Sequence, residues 1–208
     1  MAKPKKILIA TSNAGKFREI MEVLGKLPVE FLSLADVGVR GDFQETGEAF
    51  EVNALGKARY YASKCGLITI AEDSGILVDA LNDELGVKTR RWGAGEHASD
   101  EEWILHFLQR MEHVPEGKRG ARFVCCAAVV DEKGKGSVFC GKTKGVITHK
   151  LEAPIYGGLP LSSCFRPKGK KKVYSALSTQ EKNEVSHRGK AMKKVHDWIL
   201  EKISRAVV

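Results

Sequence analysis

Apolar positions along this chain alternate between short unbroken runs and stripes at helical spacing. The first run, K-I-L-I-A-T over residues 6–11, predicts a short strand buried on both faces. Ser12-Asn13-Ala14-Gly15 then leads into a stretch over 16–27, where Phe17, Ile20, Met21 and Leu24 recur with the period of an amphipathic helix. A second helix is predicted over 46–64, with Phe50, Leu55, Ala58 and Ala62 on its buried side. Residues 66–71 form another apolar strand, which ends at Glu72-Asp73-Ser74-Gly75. Ser99-Asp100-Glu101-Glu102 is a capping box for a helix carrying Trp103, Ile104, Phe107, Leu108 and Met111. Residues 122–130 and 137–148 read as two strands joined by a hairpin turn over 131–136. Ser178-Thr179-Gln180-Glu181 is a second capping box. Ser186 is placed to cap a last helix over 188–206, striped by Met192, Val195, Ile199 and Ile203.

Strands and helices interleave and one hairpin is present, so the class is α/β with a mixed sheet. At 208 residues the chain makes one domain over 1–208, or two small lobes sharing a core. There is no internal repeat, low-complexity tract or linker. No apolar run approaches the roughly 20 residues of a bilayer span, so no membrane partner is expected. The run at 7–10 is too short for a signal peptide. The five cysteines are odd in number and include no C-x-x-C pair. Neither a disulfide framework nor a zinc site is therefore expected, and a reducing cytoplasm fits. Cys125 and Cys126, in an apolar strand, read as small buried hydrophobes. The net charge of +8 suits either nucleic acid or a highly anionic small molecule. Its densest cluster, Lys168 with Lys170 to Lys172, reads as a solvated loop without interleaved aromatics.

Four constellations carry possible chemistry. In Thr11-Ser12-Asn13-Ala14-Gly15-Lys16 a strand gives way to a helix N-terminus, whose free N–H groups suit a phosphate, with Gly15 allowing close approach and Lys16 adding charge. It is not a P-loop, because the leading glycine is missing and Phe17 stands where a Ser or Thr would bind Mg²⁺; an ordinary turn capped by Ser12 or Asn13 fits the same residues. Glu72-Asp73-Ser74-Gly75 sets two carboxylates at a strand end, costly without a cation or proton, although Asp-Ser-Gly is also a common turn. Glu45 precedes a helix on which Asn53 and Lys57 share a face; a charged helix start with a solvated lysine is the plainer reading. Lys182 and Ser186-His187-Arg188-Gly189 place basic residues at the positive end of a helix, which suggests that an anion or an acceptor-rich ring docks nearby.

Taken in series, these segments resemble the inosine/xanthosine triphosphate pyrophosphatases, house-cleaning enzymes of the purine nucleotide pool. The matching stretches are T-S-N-A-G-K-F-R-E-I, E-T-G-E-A-F-E-V-N-A-L-G-K-A, A-E-D-S-G-I-L-V-D-A-L, G-V-K-T-R-R-W and E-K-N-E-V-S-H-R-G-K-A, which span nearly the whole chain. The resemblance implies an elongated mixed-sheet fold with two lobes flanking a central cleft, a homodimer and a requirement for Mg²⁺. It implies Asp73 as general base and metal-linked acid, Glu45 as the other metal-side carboxylate, and Ser74 as a phosphate contact. The loop from Thr11 through Ser12, Asn13, Ala14 and Gly15 to Lys16 would hold the triphosphate, with Lys57 and with Arg90 or Arg91 nearby. Lys182, His187 and Arg188 would read the base.

One segment departs from the family pattern. Where relatives carry Phe-Gly-Tyr-Asp-Pro, this chain has Ile155-Tyr156-Gly157-Gly158-Leu159-Pro160-Leu161. In one alignment Tyr156 stands for the stacking aromatic, Gly157 keeps its place and the acid becomes Leu159; in an ungapped alignment Gly158 takes the aromatic position and Leu161 that of the acid. The acid is gone either way, which bears on base choice and not on phosphate chemistry. Two alternatives are a Maf-like nucleotide pyrophosphatase with other base preference, against which Ser186-His187-Arg188 argues, and a basic nucleic-acid-binding module, against which the strand-end carboxylates argue.

Overall fold

The computed structural model describes residues 5–39, 41–95 and 97–205. Six strands form one sheet in the order β2-β1-β3-β4-β5-β6. β1 (Lys6–Ile9) lies between two parallel partners, β2 (Glu30–Ser33) and β3 (Ile68–Val78). Its unbroken apolar run follows from burial on both faces. Ile7 and Ile9 pack under α1 (Ala14–Leu24) and α5 (His187–Arg205), and Leu8 packs under α2 (Phe50–Cys65). From β3 onward the sheet turns antiparallel through β4 (Gly120–Val130), β5 (Gly136–Ile147) and β6 (Phe165–Pro167). The mixed α/β class read from the sequence holds.

The long strands β3, β4 and β5 run through two separate apolar cores. One lies under α1 and α5, with α2 closing the opposite face of the sheet. The other gathers Ile76, Val78, Phe123, Phe165 and Tyr174 against Trp103 and Phe107 of α3 (Asp100–Arg110). The α3 capping box forms as expected, Ser99 and Glu102 each accepting the other's backbone N–H. So does the box of the short α4 (Thr179–Val185). Ser186 Oγ accepts the Gly189 N–H and starts α5; the last expected helical residue, Ala206, lies outside the described residues.

Several boundaries differ from the sequence reading. β3 does not end at Ala71: it continues through Glu72-Asp73-Ser74-Gly75, because β4 pairs with it without a break from Thr69↔Val130 to Val78↔Ala121. The second helix starts at Phe50 instead of residue 46, since the Asn53 side chain binds both the N–H and the carbonyl of Gly47 and holds the preceding turn out of the helix. β2, four half-buried residues at the sheet edge, has too little pattern to be read from sequence. The expectation of unpaired cysteines is also corrected. Cys126 of β4 and Cys140 of β5 face each other across the hairpin and are joined by a disulfide, while Cys125, one residue earlier, points to the other face as a free buried thiol.

Candidate active site

A cavity of ≈ 610 Å³ opens between the two cores. Its first wall is the turn from β1 into α1. Asn13 caps α1 by accepting the Lys16 N–H at 2.9 Å, and its amide donates to the Gly158 carbonyl at 3.1 Å. Gly15 is required at this point, because a β-carbon there would come within 2.5 Å of the Gly157 carbonyl. The loop around Gly158 thus lies directly on the start of α1. Its other anchor comes from the second core, where Asp100 Oδ2 accepts the Gly158 N–H at 2.5 Å. Thr11, Ser12, Asn13 and Lys16 line the cavity; Ala14, Gly15 and Gly157 are in the seam beside it.

β3 presents Glu72 and Asp73 to opposite faces of the sheet, as strand alternation dictates. Glu72 is fully buried toward α1 and α5, 2.7 Å from Lys16 Nζ and 3.6 Å from Arg188, and it accepts the Cys125 thiol at 3.2 Å. Arg188 also pairs with Glu19 and donates to Ser74 Oγ at 2.9 Å, while Lys182 sits 2.5 Å from Glu19. Burial alone would raise the Glu72 carboxyl; Lys16 and Arg188 outweigh it and hold the group well below the usual carboxylate range. Burial opposes the Lys16 charge in the same way, and Glu72 more than compensates. The five groups form a charged, closely paired unit in the cavity wall, with Lys16, Glu19, Lys182 and Arg188 lining it and Glu72 behind them.

On the α2 face, Asn53 donates to Asp73 Oδ2 at 2.9 Å. Lys57 donates to the Glu72 carbonyl at 3.2 Å and pairs with Glu45, which Arg91 reaches at 3.5 Å. Asp73 is 3% exposed. Burial, and then the nearby Glu45 charge, push its carboxyl up to about 6. Glu45, Lys57 and Ser74 line the cavity directly, while Asn53 and Asp73 do not. Arg90 lines it as well, donating to the Ala98 carbonyl at 2.6 Å.

The far end is aromatic. His187, the first residue of α5, stacks on Phe123 at 4.5 Å between centroids and lies 6.0 Å from the Tyr174 ring. Gly141 makes this possible, since a β-carbon there would meet the His187 carbonyl at 2.2 Å. Burial, then the Arg188 charge, drives the His187 imidazole well below its ordinary value, so the ring is neutral, and its Nδ1 has no partner among the described residues. Lys182, 5.9 Å from the Tyr174 ring, lines this end, and Leu159 lines the cavity beside Gly15. Tyr156 lies outside the lining, with the Arg18 guanidinium 4.5 Å above its ring and the Lys182 ammonium at 5.2 Å.

Sequence reasoning brought Lys16, Glu45, Asn53, Lys57, Asp73, Lys182, His187 and Arg188 to attention, and the fold gathers them here. It passed over Glu19, Asp100, Phe123 and Tyr174. Glu19 bore one faint sign, a carboxylate beside Ile20 on the buried side of its helix. The others act through partners far away in the chain.

Residues 7–198 match the model of the Ham1 family. The chain belongs to the Ham1 family. Among curated relatives, the dITP/XTP pyrophosphatase of Bacillus cereus is 37% identical over 203 residues, covering 97% of this chain and 98% of the relative. That of Geobacter sulfurreducens is 39% identical over 195 residues, covering 93% and 96%. Among solved structures, a HAM1 protein from Coxiella burnetii aligns with a TM-score of 0.81 at 32% identity, covering 95% of this chain and 99% of that one. The Ham1 membership therefore extends across both cores and the cavity between them.

Proposed function

We propose that this protein hydrolyses dITP/XTP-type purine nucleoside triphosphates between the α and β phosphorus, releasing a monophosphate and pyrophosphate. The observation that carries the reading is the carboxylate pair on the α2 face, Glu45 lining the cavity and Asp73 buried behind the lining. Asp73 is buried with its carboxyl raised to about 6, Glu45 lies on the same side, and Lys16, Lys57 and Arg91 stand around them. The names of the Bacillus and Geobacter relatives support the substrate class.

The Glu45 charge disfavours ionisation of Asp73, and such a pair suits a hard, oxygen-ligated ion, so Glu45 and Asp73 would hold Mg²⁺. When bound, Mg²⁺ neutralises charge on the departing pyrophosphate. Asp73 takes the proton of a water that attacks the α-phosphorus as the bond to the bridging oxygen breaks. Asn53 fixes the Asp73 carboxylate through its amide. Lys16, Lys57, Arg90 and Ser74, with the backbone around Thr11, Ser12 and Asn13, bind and orient the phosphates. His187, Lys182 and Arg188 face the purine end, and Tyr156 and Gly157 belong to the loop beside the cavity. Support for a homodimer and for a cytoplasmic location comes from the family resemblance; no helix among the described residues is long and apolar enough to cross a membrane.

The deciding experiment incubates the protein with Mg²⁺ and a panel of NTPs and dNTPs, and separates the products. Monophosphate and pyrophosphate from ITP, dITP and XTP are expected. Orthophosphate as the direct product would mean attack at the γ-phosphorus and would overturn the reaction class. Efficient cleavage of UTP or dTTP with ITP ignored would favour the Maf-like alternative.

A further inference from the structure

The Cys126–Cys140 pair is not used by the reaction described above. It lies where α2, β4 and β5 meet, on the same face of the sheet as Asp73, which is the register partner of Cys126. A third side chain completes the cluster: Glu51, from the first turn of α2, brings Oε1 to 3.5 Å from the Cys140 sulfur. The two sulfurs and the carboxylate oxygen all lie within 4.8 Å of one another.

We propose that Cys126, Cys140 and Glu51 form a metal site that takes one zinc-class divalent ion when the disulfide is reduced. The sequence reading expected neither a disulfide nor a zinc site, because the cysteines are odd in number and include no C-x-x-C pair; these two lie 14 positions apart. The hairpin supplies what spacing does not, setting the residues side by side. Two thiolates and one carboxylate suit a borderline-soft ion that prefers sulfur, and leave a fourth tetrahedral position for water. Mg²⁺ avoids such a donor set, so this site is chemically separate from Glu45 and Asp73.

Burial is graded across the cluster in the way an open site needs. Cys126 is fully buried, Cys140 is half-buried and Glu51 is exposed. Phe50 and Val124 close the inner side together with Leu77 and Val87. Low-dielectric walls strengthen attraction between a dication and three anions, and the Glu51 side leaves a path from solvent.

The chemistry balances with a dithiol as reductant. The dithiol donates two electrons and two protons, its own sulfurs join, and the Cys126–Cys140 bond becomes two thiols. The ion then displaces the two thiol protons and bonds to both sulfurs. Exchange with a small disulfide, which takes up the two electrons and leaves as two thiolates, restores the Cys126–Cys140 bond, removes both sulfur ligands and expels the ion. The pair thus holds either a disulfide or a metal, never both.

The test reduces the protein anaerobically with a dithiol, removes the excess, and titrates with Cd²⁺ as a spectroscopic probe of zinc-class binding. Thiolate-to-metal charge-transfer absorbance is read without nucleotide, so the outcome is independent of any NTP hydrolysis. One ion per chain is expected for the reduced protein and no band for the disulfide form. C126S and C140S should each lose the band; if C126S does not fold, C140S at the half-buried position decides. E51Q should keep the band but bind at least about tenfold more weakly, no less than the loss of an outer partner of a metal ligand costs. A reduced native protein without the band overturns the proposal. So does a band that persists unchanged in C140S, which would place the ion on other thiols such as Cys65.

Discussion

Asp73 shows how one residue's environment sets both stability and rate. The folded protein holds this proton more tightly than the unfolded chain, where an aspartate titrates near 3.8. Its contribution to stability is therefore fully present below that pH and is lost as pH rises through about 6. In the proposed reaction the rate runs the other way, because Asp73 can act as base only when ionised. In the metal-free protein the melting temperature of the native chain relative to D73N should fall between these two pH values, a difference that cancels the opposite contribution of Glu72 and the other carboxylates held low. kcat/KM should instead rise with pH across the same window, and saturating Mg²⁺ should move the rise to lower pH by favouring the carboxylate. D73N should lower kcat about 100-fold or more, the scale of losing an acid–base group. Near-normal pyrophosphate release from D73N would reject the assignment.

At the scale of elements, two side chains tie segments that the sheet alone does not. Arg119 precedes β4 and is 1% exposed, yet it meets no carboxylate among the described residues. It donates instead to the carbonyls of Met111 and Val114, after α3, and of Ile147 and Thr148, at the end of β5. Each buried carbonyl left unpaired costs ~1–3 kcal/mol. R119A should therefore lower unfolding free energy by several kcal/mol in chemical denaturation, and R119K should recover only part, since an ammonium cannot reach four dispersed acceptors. Asp100 plays the corresponding part for the loop at Gly158, which it holds from α3 while Asn13 holds it from α1. D100A should raise KM for the nucleotide more than it changes kcat, and D100N, which keeps an acceptor oxygen, should restore much of the difference. Equal loss in both variants would mean that the loop does not depend on this hydrogen bond.

For the whole molecule, two cores strung on three long strands leave a cleft whose ends differ in chemistry. The carboxylate pair and its lysines are on one side, and the His187, Phe123 and Tyr174 stack is on the other. On the proposed reading, base choice depends on both cores. A neutral His187 offers one N–H, and Arg188 spends its terminal nitrogens on Glu19, Ser74 and Glu72, leaving only Nε without a partner. Such donors pair with a 6-oxo group and leave a 6-amino group unmatched, so ITP and XTP should be good substrates and ATP poor. The 2-amino group of guanine is the harder case. Leu159 supplies no acceptor at the cavity, and GTP should be excluded less cleanly than ATP; L159D should widen the ITP-to-GTP ratio. Comparing kcat/KM for these nucleotides in the native protein, L159D and Y156A checks both points. ATP as the best substrate would defeat the donor argument, and unchanged values in Y156A would assign stacking on the base to another ring.

What the sequence determined by itself is what depends on neighbours in the chain. Period and capping placed the helix at Trp103, the hairpin after Val130 and the start of α5, because burial of one face and satisfaction of helix ends are local demands. Contiguous segments likewise exposed Thr11 to Lys16, Asp73 and Ser186-His187-Arg188 as a set. Tertiary structure decided whatever depends on pairing at a distance. β3 carries two carboxylates through its middle because β4 completes its ladder and Lys16 and Arg188 neutralise Glu72. Glu19 meets Arg188 from 169 positions away, His187 finds Phe123 only once α5 settles against Gly141, and Cys126 reaches Cys140 through the register of a hairpin. A local pattern records which face of an element is buried, but the partner waiting on that face is set by strand register and helix packing, which no window of sequence contains.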